Sequence, residues 1–135
     1  MRSIKFRAWD THEEVMNRVD YIDFANGIVG LSNENVRDYE QPVHRVKFMQ
    51  STNLLDKNGV EIYEGDIVKW GHLNQWSREQ PHRIAEVKFD PDIQFHSQVG
   101  VFNFGSFAYR DTTETDLEVI GNIYENKELL KEQNK

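Results

Sequence analysis

The chain contains no cysteine in its 135 residues. Disulfides, thiolate metal sites and cysteine nucleophiles are therefore excluded. Proline is scarce at three residues, and no apolar run approaches the ~20 residues that a membrane-spanning helix needs. The first residues, Met1-Arg2-Ser3-Ile4-Lys5, lack the apolar core and cleavage site of a secretory signal, so the expected location is the cytoplasm. Positive charge is also short: the formal net charge is −7. Duplex nucleic acid is held mainly by cations that neutralise phosphates, and this balance opposes that role. The deficit is uneven. Residues 1–50 carry seven Lys/Arg against eight Asp/Glu, and residues 51–135 carry nine against fifteen.

Aromatic residues are plentiful, with eight Phe, five Tyr and three Trp. A disordered chain would be poor in them. Apolar residues reach only 38%, so the expectation is a folded domain with a thin core and much exposed loop.

Strand patterns dominate. In Ile4–Trp9 the residues Ile4, Phe6 and Ala8 alternate with Lys5, Arg7 and Trp9. Two apolar runs, Tyr21–Phe24 and Gly27–Leu31, flank Asn26-Gly27, a hairpin turn pair. Residues 32–42 are polar, end in Pro42 and read as loop. Val43–Met49 alternates again, with Val46 and Phe48 inward and Arg45 and Lys47 outward. Asp56–Gly59 reads as a second tight turn, followed by strands at Val60–Tyr63 and Ile67–Trp70. Residues 71–83 form a long polar loop. Further strands are expected at Ile84–Phe89, Val99–Phe104, Phe107–Tyr109 and Leu117–Tyr124. A two-turn helix is expected from Lys127 to Gln133 after Asn126. A short one is also expected over Thr11–Asn17, where Thr11 and Glu14 have capping-box spacing.

Several short strands separated by turns imply an all-β fold with a short C-terminal helix. The predicted division is an N-terminal β region over residues 1–50 and a small barrel over 51–135.

Three segments resemble the YopX family of bacteriophage and prophage proteins. They are Ile4–Asp10, the long segment Phe48–Lys69, and Glu118–Asn126. They occur in the family's order and frame the chain. Asn53 stands where Gly is expected and tolerates the same positive φ; Lys127 stands where Pro is expected. The resemblance implies a phage or prophage origin and a C-terminal SH3-like barrel, and it carries no activity with it. It adds nothing over residues 10–47 or in the loop at 71–83.

No catalytic signature stands out, and the chain is expected not to be an enzyme and to need no cofactor. None of His12, His44, His72, His82 and His96 shows zinc-ligand spacing. A convergence of His72, His82 and His96 is the remote, metal-assisted hydrolase alternative. Glu64 with Asp66, and Asp10 with Glu13 and Glu14, read as solvated turn carboxylates. In the central motif, Asp66 is expected to cap its own turn. Two surfaces remain as candidates. Lys5, Arg7, Arg45 and Lys47 with Trp9 would form a basic, aromatic face fit for single-stranded nucleic acid if their strands are neighbours. The loop bearing Trp76, Arg78 and Arg83 carries the residue types of an interface anchor. The leading expectation is a phage accessory protein working by protein–protein contact, with a second copy or another phage or host protein as partner.

Overall fold

The computed structural model describes residues 4–70, 83–90, 92–97, 100–103 and 117–134. The fold is mainly β, with eleven antiparallel strands among the described residues. The chain divides into two compact units, Met1–Ser51 and Thr52–Lys135.

The first unit is a sheet of β1 (Phe6–Asp10), β2 (Val15–Asp23), β3 (Ile28–Ser32), β4 (Tyr39–Pro42) and the first half of β5 (Val46–Leu55), in the order β4-β3-β2-β1-β5. Ala8, Val29, Leu31 and Val46 are buried on one face, with Val19, Ile22, Tyr39, Val43 and Phe48 packed around them. The alternation in β1 holds for Phe6 and Ala8, whereas Ile4 precedes the strand and is 75% exposed. The Asn26-Gly27 turn closes the β2–β3 hairpin, with Gly27 at φ +67°.

Two expectations for this unit are corrected. Residues 11–17 form no helix: 11–14 are a hairpin turn, and Val15 opens β2. The Thr11 hydroxyl donates to the carbonyl of Arg45 at 2.6 Å instead of capping a helix. Glu14 takes φ +55° and turns the chain back into the sheet. Residues 39–42 are also not loop. They are edge strand β4, placed by Tyr39 opposite Leu31 and Gln41 opposite Val29. Pro42 ends this edge strand, a position proline tolerates.

The second unit holds the second half of β5, β6 (Glu61–Tyr63), β7 (Asp66–Trp70), β8 (Arg83–Phe89), β9 (Ile93–Ser97), β10 (Gly100–Asn103) and β11 (Glu118–Asn122). Its five-stranded sheet runs β10-β9-β8-β7-β11, while β6 neighbours β5. It is a small, barrel-like antiparallel sheet whose ladder is not closed among the described residues. Ile62, Val68, Trp70, Ala85, Val87, Ile93 and Phe95 form its core. Trp70 and Phe95 meet at 5.7 Å between ring centroids, within the range of favourable aromatic pairs. Phe107–Tyr109 lies outside the described residues. The terminal helix is of 3-10 type over Lys127–Asn134. It starts from the Asn126 carbonyl, which accepts from the Leu129 amide at 2.9 Å. The Asn126 side chain turns back to accept from the Asn122 amide at 3.2 Å.

Candidate functional site

A concavity that the fold builds from several segments lies in the first unit. It is a cleft of about 340 Å³ lined by Glu13, Val15, Asn33, Asn35, Val36 and Tyr39. The β1–β2 turn supplies Glu13, β2 supplies Val15, the β3–β4 connection supplies Asn33, Asn35 and Val36, and β4 supplies Tyr39.

Each wall is locally fixed. Asp10 ends β1 and is fully buried. Its Oδ1 accepts from the amides of His12 at 2.9 Å and Glu13 at 3.0 Å, which sets the turn. Its Oδ2 accepts from the Tyr39 hydroxyl and from Gln41 Nε2, both at 3.0 Å. The Tyr39 hydroxyl also lies 3.1 Å from Asn17 Oδ1, which accepts from Asn33 Nδ2 at 2.8 Å. Asn33 in turn takes the amides of Asn35 and Val36 on its own Oδ1, at 2.8 and 3.0 Å. A chain of buried and half-buried polar groups thus ties both loops to the sheet beneath the cleft. Buried polar groups of this kind rigidify a site when every member is satisfied.

The electrostatics follow from these bonds. Burial works to raise the Asp10 pKa, but the hydrogen bonds from Glu13, Gln41, His12 and Tyr39 together outweigh it and hold the carboxyl below its ordinary value. The Tyr39 phenol is pushed up to about 12 by burial, and then by its bond to the Asp10 carboxylate. Asp10 is therefore an anion and Tyr39 a neutral phenol across the physiological range. The reading of Asp10 as an exposed turn carboxylate is overturned: four donors make it the buried anchor of the turn.

The proposed basic face is assembled in part. Strands β1 and β5 are neighbours, with Trp9 opposite Lys47 and Arg7 opposite Met49. On the other side, Arg7 lies opposite Arg18 of β2. Lys5, Arg18 and Lys47 are exposed, but Arg7 and Trp9 are half-buried and Met49 is 2% exposed. Arg45 does not join them. It sits in the 3-10 turn Val43–Arg45 that precedes β5, and its Nη1 donates to Gln41 Oε1 at 3.5 Å. Arg18 was not anticipated on this face, because the helix expected over Thr11–Asn17 hid the start of β2. Its guanidinium pairs with Asp20 at 2.7 Å.

Trp76 and Arg78 lie outside the described residues, as do His72 and His82. Arg83 opens β8, in register with Trp70. His96 contacts Gln94 at 2.9 Å, His44 is exposed in the 3-10 turn before β5, and His12 lies 3.9 Å from Glu13. Among the described residues no cluster of three His, Asp or Glu is placed to hold a metal ion, and no helix is long and apolar enough to cross a membrane.

In the second unit the motif residues act as staples. Asp66 is buried rather than wet, and its Oδ2 caps the turn by accepting from the Tyr63 amide at 2.8 Å. Asp56 accepts from the amides of Asn58 and Val60, both at 2.8 Å, and from that of Val119 at 2.9 Å. Burial raises its pKa, but those amides overcome the effect and leave it lowered. One carboxylate so joins two sequence segments 63 residues apart. Asn53 takes φ +64°, the conformation expected of the residue that replaces Gly.

A family model described as YopX protein matches residues 5–131. A solved structure, the crystal structure of protein EF1440 from Enterococcus faecalis, is similar to this chain. It superposes at a TM-score of 0.65 with 30% sequence identity, over 96% of this chain and 99% of that one. No curated protein matches the chain.

Proposed function

This chain belongs to the YopX family, and on that premise we propose that it is a non-catalytic protein–protein interaction module whose contact point is the cleft of the first unit. The partner is a second copy or another phage or host protein, met in the cytoplasm of the bacterial host. The SH3-like reading of residues 51–135 belongs to the same proposal.

The observation that carries the reading is the state of the ionisable groups at the cleft. Acid–base catalysis wants a group whose pKa lies near the working pH. Here the hydrogen bonds move Asp10 down, while burial and then the bond to Asp10 move Tyr39 up, each away from that range. The same bonds hold the walls in one geometry, which favours binding because little ordering remains to be done. Val36, 46% exposed, offers an apolar contact at the rim.

The test is the solution mass, by size-exclusion chromatography with light scattering, of the wild type and of Val36→Asp. A fixed multiple of 16.0 kDa for the wild type, lost in the variant, supports contact through the cleft. A monomer for both at every concentration overturns self-assembly as the mode of action. The nucleic-acid reading retains Lys5, Arg18 and Lys47 as exposed cations, but stacking needs an open ring and Trp9 is half-buried.

A further inference from the structure

Beneath the cleft lies an anion with which no basic side chain pairs directly among the described residues. Asp10, ionised and fully buried, takes all its hydrogen bonds from neutral donors. Arg45 reaches it only indirectly, through Gln41. Glu13 adds a second carboxylate on the lining itself. Among the described residues the only basic side chain within ion-pair distance of it is His12, at a long 3.9 Å with both groups exposed, while Arg37 follows the lining residue Val36 in the same connection. The walls are mixed: Val15, Val36 and Tyr39 offer apolar and aromatic surface beside the amides of Asn33 and Asn35. A cleft of about 340 Å³ is at the small end of the roughly 300–1,000 Å³ typical of ligand sites. It fits one long side chain better than a nucleotide cofactor. Long cationic side chains have the matching composition, since the alkyl stem lies on apolar surface while the charged head stays at a polar, hydrated rim. An aromatic neighbour adds a favourable cation–π contact.

We infer that the cleft receives an arginine or lysine side chain of a protein partner, its charge meeting Glu13 and its stem lying among Val15, Val36 and Tyr39. The inference rests on the binding-module reading and names the chemistry of the partner. It also explains why the polar floor is saturated. With Asp10, Asn17 and Asn33 engaged in holding the loops, Glu13 is the charged group left to meet a ligand.

The test uses the full chain labelled with nitrogen-15 and three probes: N-acetyl-arginine methylamide, the neutral citrulline analogue, and N-acetyl-leucine methylamide. The expected result is a saturable shift of the amides of Asn33, Asn35, Val36 and Tyr39 with the arginine probe alone. Glu13→Gln, an exposed change that keeps the backbone amide donating to Asp10, should weaken that binding about two- to fivefold. Equal binding of the arginine and citrulline probes overturns the charge requirement and leaves the binding-module reading standing. So does binding of the arginine probe that Glu13→Gln leaves unchanged. No saturable shift with any probe overturns the inference, while the reading beneath it is judged separately by the solution mass.

Discussion

Replacing Asp10 by Asn keeps the shape of the side chain and changes one acceptor into a donor. Its consequence is calculable from the four bonds. The two turn amides, at 2.9 and 3.0 Å, keep the Asn oxygen on their side. The new amide nitrogen then faces Tyr39 and Gln41, both of which donated to Oδ2. Tyr39 can turn its hydrogen to Asn17 Oδ1, 3.1 Å away, and accept from the new amide. Gln41 has no such freedom, because its Oε1 faces Arg45. One charge-assisted bond is lost, worth about 1.5–3 kcal/mol, and one buried donor is left facing another, about 1–3 kcal/mol more. Burying a neutral amide in place of a carboxylate returns part of this. The expected net loss is about 2–4 kcal/mol at pH 7, read from urea denaturation followed by tryptophan fluorescence. The pH dependence gives a second reading. The folded-state pKa of Asp10 is lowered, so its stabilisation is present above the unfolded value of about 3.9 and is lost as pH falls through the folded one. Asp10→Asn should therefore be less acid-sensitive than the wild type. A variant within about 0.5 kcal/mol of wild type at pH 7, or with undiminished acid sensitivity, would refute the network as described.

Tyr39→Phe removes one hydroxyl from the same network and should cost about 1 kcal/mol. Because the Tyr39 phenol is raised to about 12, the folded state holds its proton more tightly than the unfolded. Stability should fall between about pH 10 and pH 12, and ultraviolet titration of the folded wild type should show a late phenol that Tyr39→Phe lacks. At position 53, φ is +64°. Asn53→Gly should be neutral or stabilising, and Asn53→Val should cost roughly 1–3 kcal/mol in thermal or urea unfolding. Phe95→Ala, at a fully buried ring tilted against Trp70, should cost about 3–5 kcal/mol; a loss below 1 kcal/mol would contradict the second core. Single-stranded oligonucleotides at low salt should not bind, and a tight, salt-sensitive complex lost on Lys5→Ala and Lys47→Ala would reverse the preference between the two functional readings.

Local pattern determined much of this protein. The alternation Phe6, Ala8 in β1 and Val46, Phe48 in β5 located both strands, although Val43–Arg45, expected to open β5, form a 3-10 turn and the strand runs on to Leu55; the turn pairs at Asn26-Gly27 and Asp56–Gly59 needed only backbone chemistry. Asn53 could be read as a glycine substitute because positive φ is a local property. Strand β9, not among the expected strands, has the same alternation, with Ile93 and Phe95 buried and Gln94 and His96 half-buried. Tertiary structure decided the rest. Thr11 and Glu14 have helix-capping spacing, yet β1 already existed to pair with β2, and Asp10 rather than Thr11 supplied the oxygen that sets the turn. Residues 39–42 look polar, and they become a strand because β3 offers an unpaired edge. Asp10, Tyr39 and Asn17 are far apart in sequence, so neither their meeting nor the cleft above them leaves a periodic trace. Arg45 left the basic face for a comparable reason: a 3-10 turn between β4 and β5 rotates its side chain toward Gln41. Period and turn chemistry are written residue by residue, whereas a buried polar network exists only once distant strands have fixed which side chains share a face.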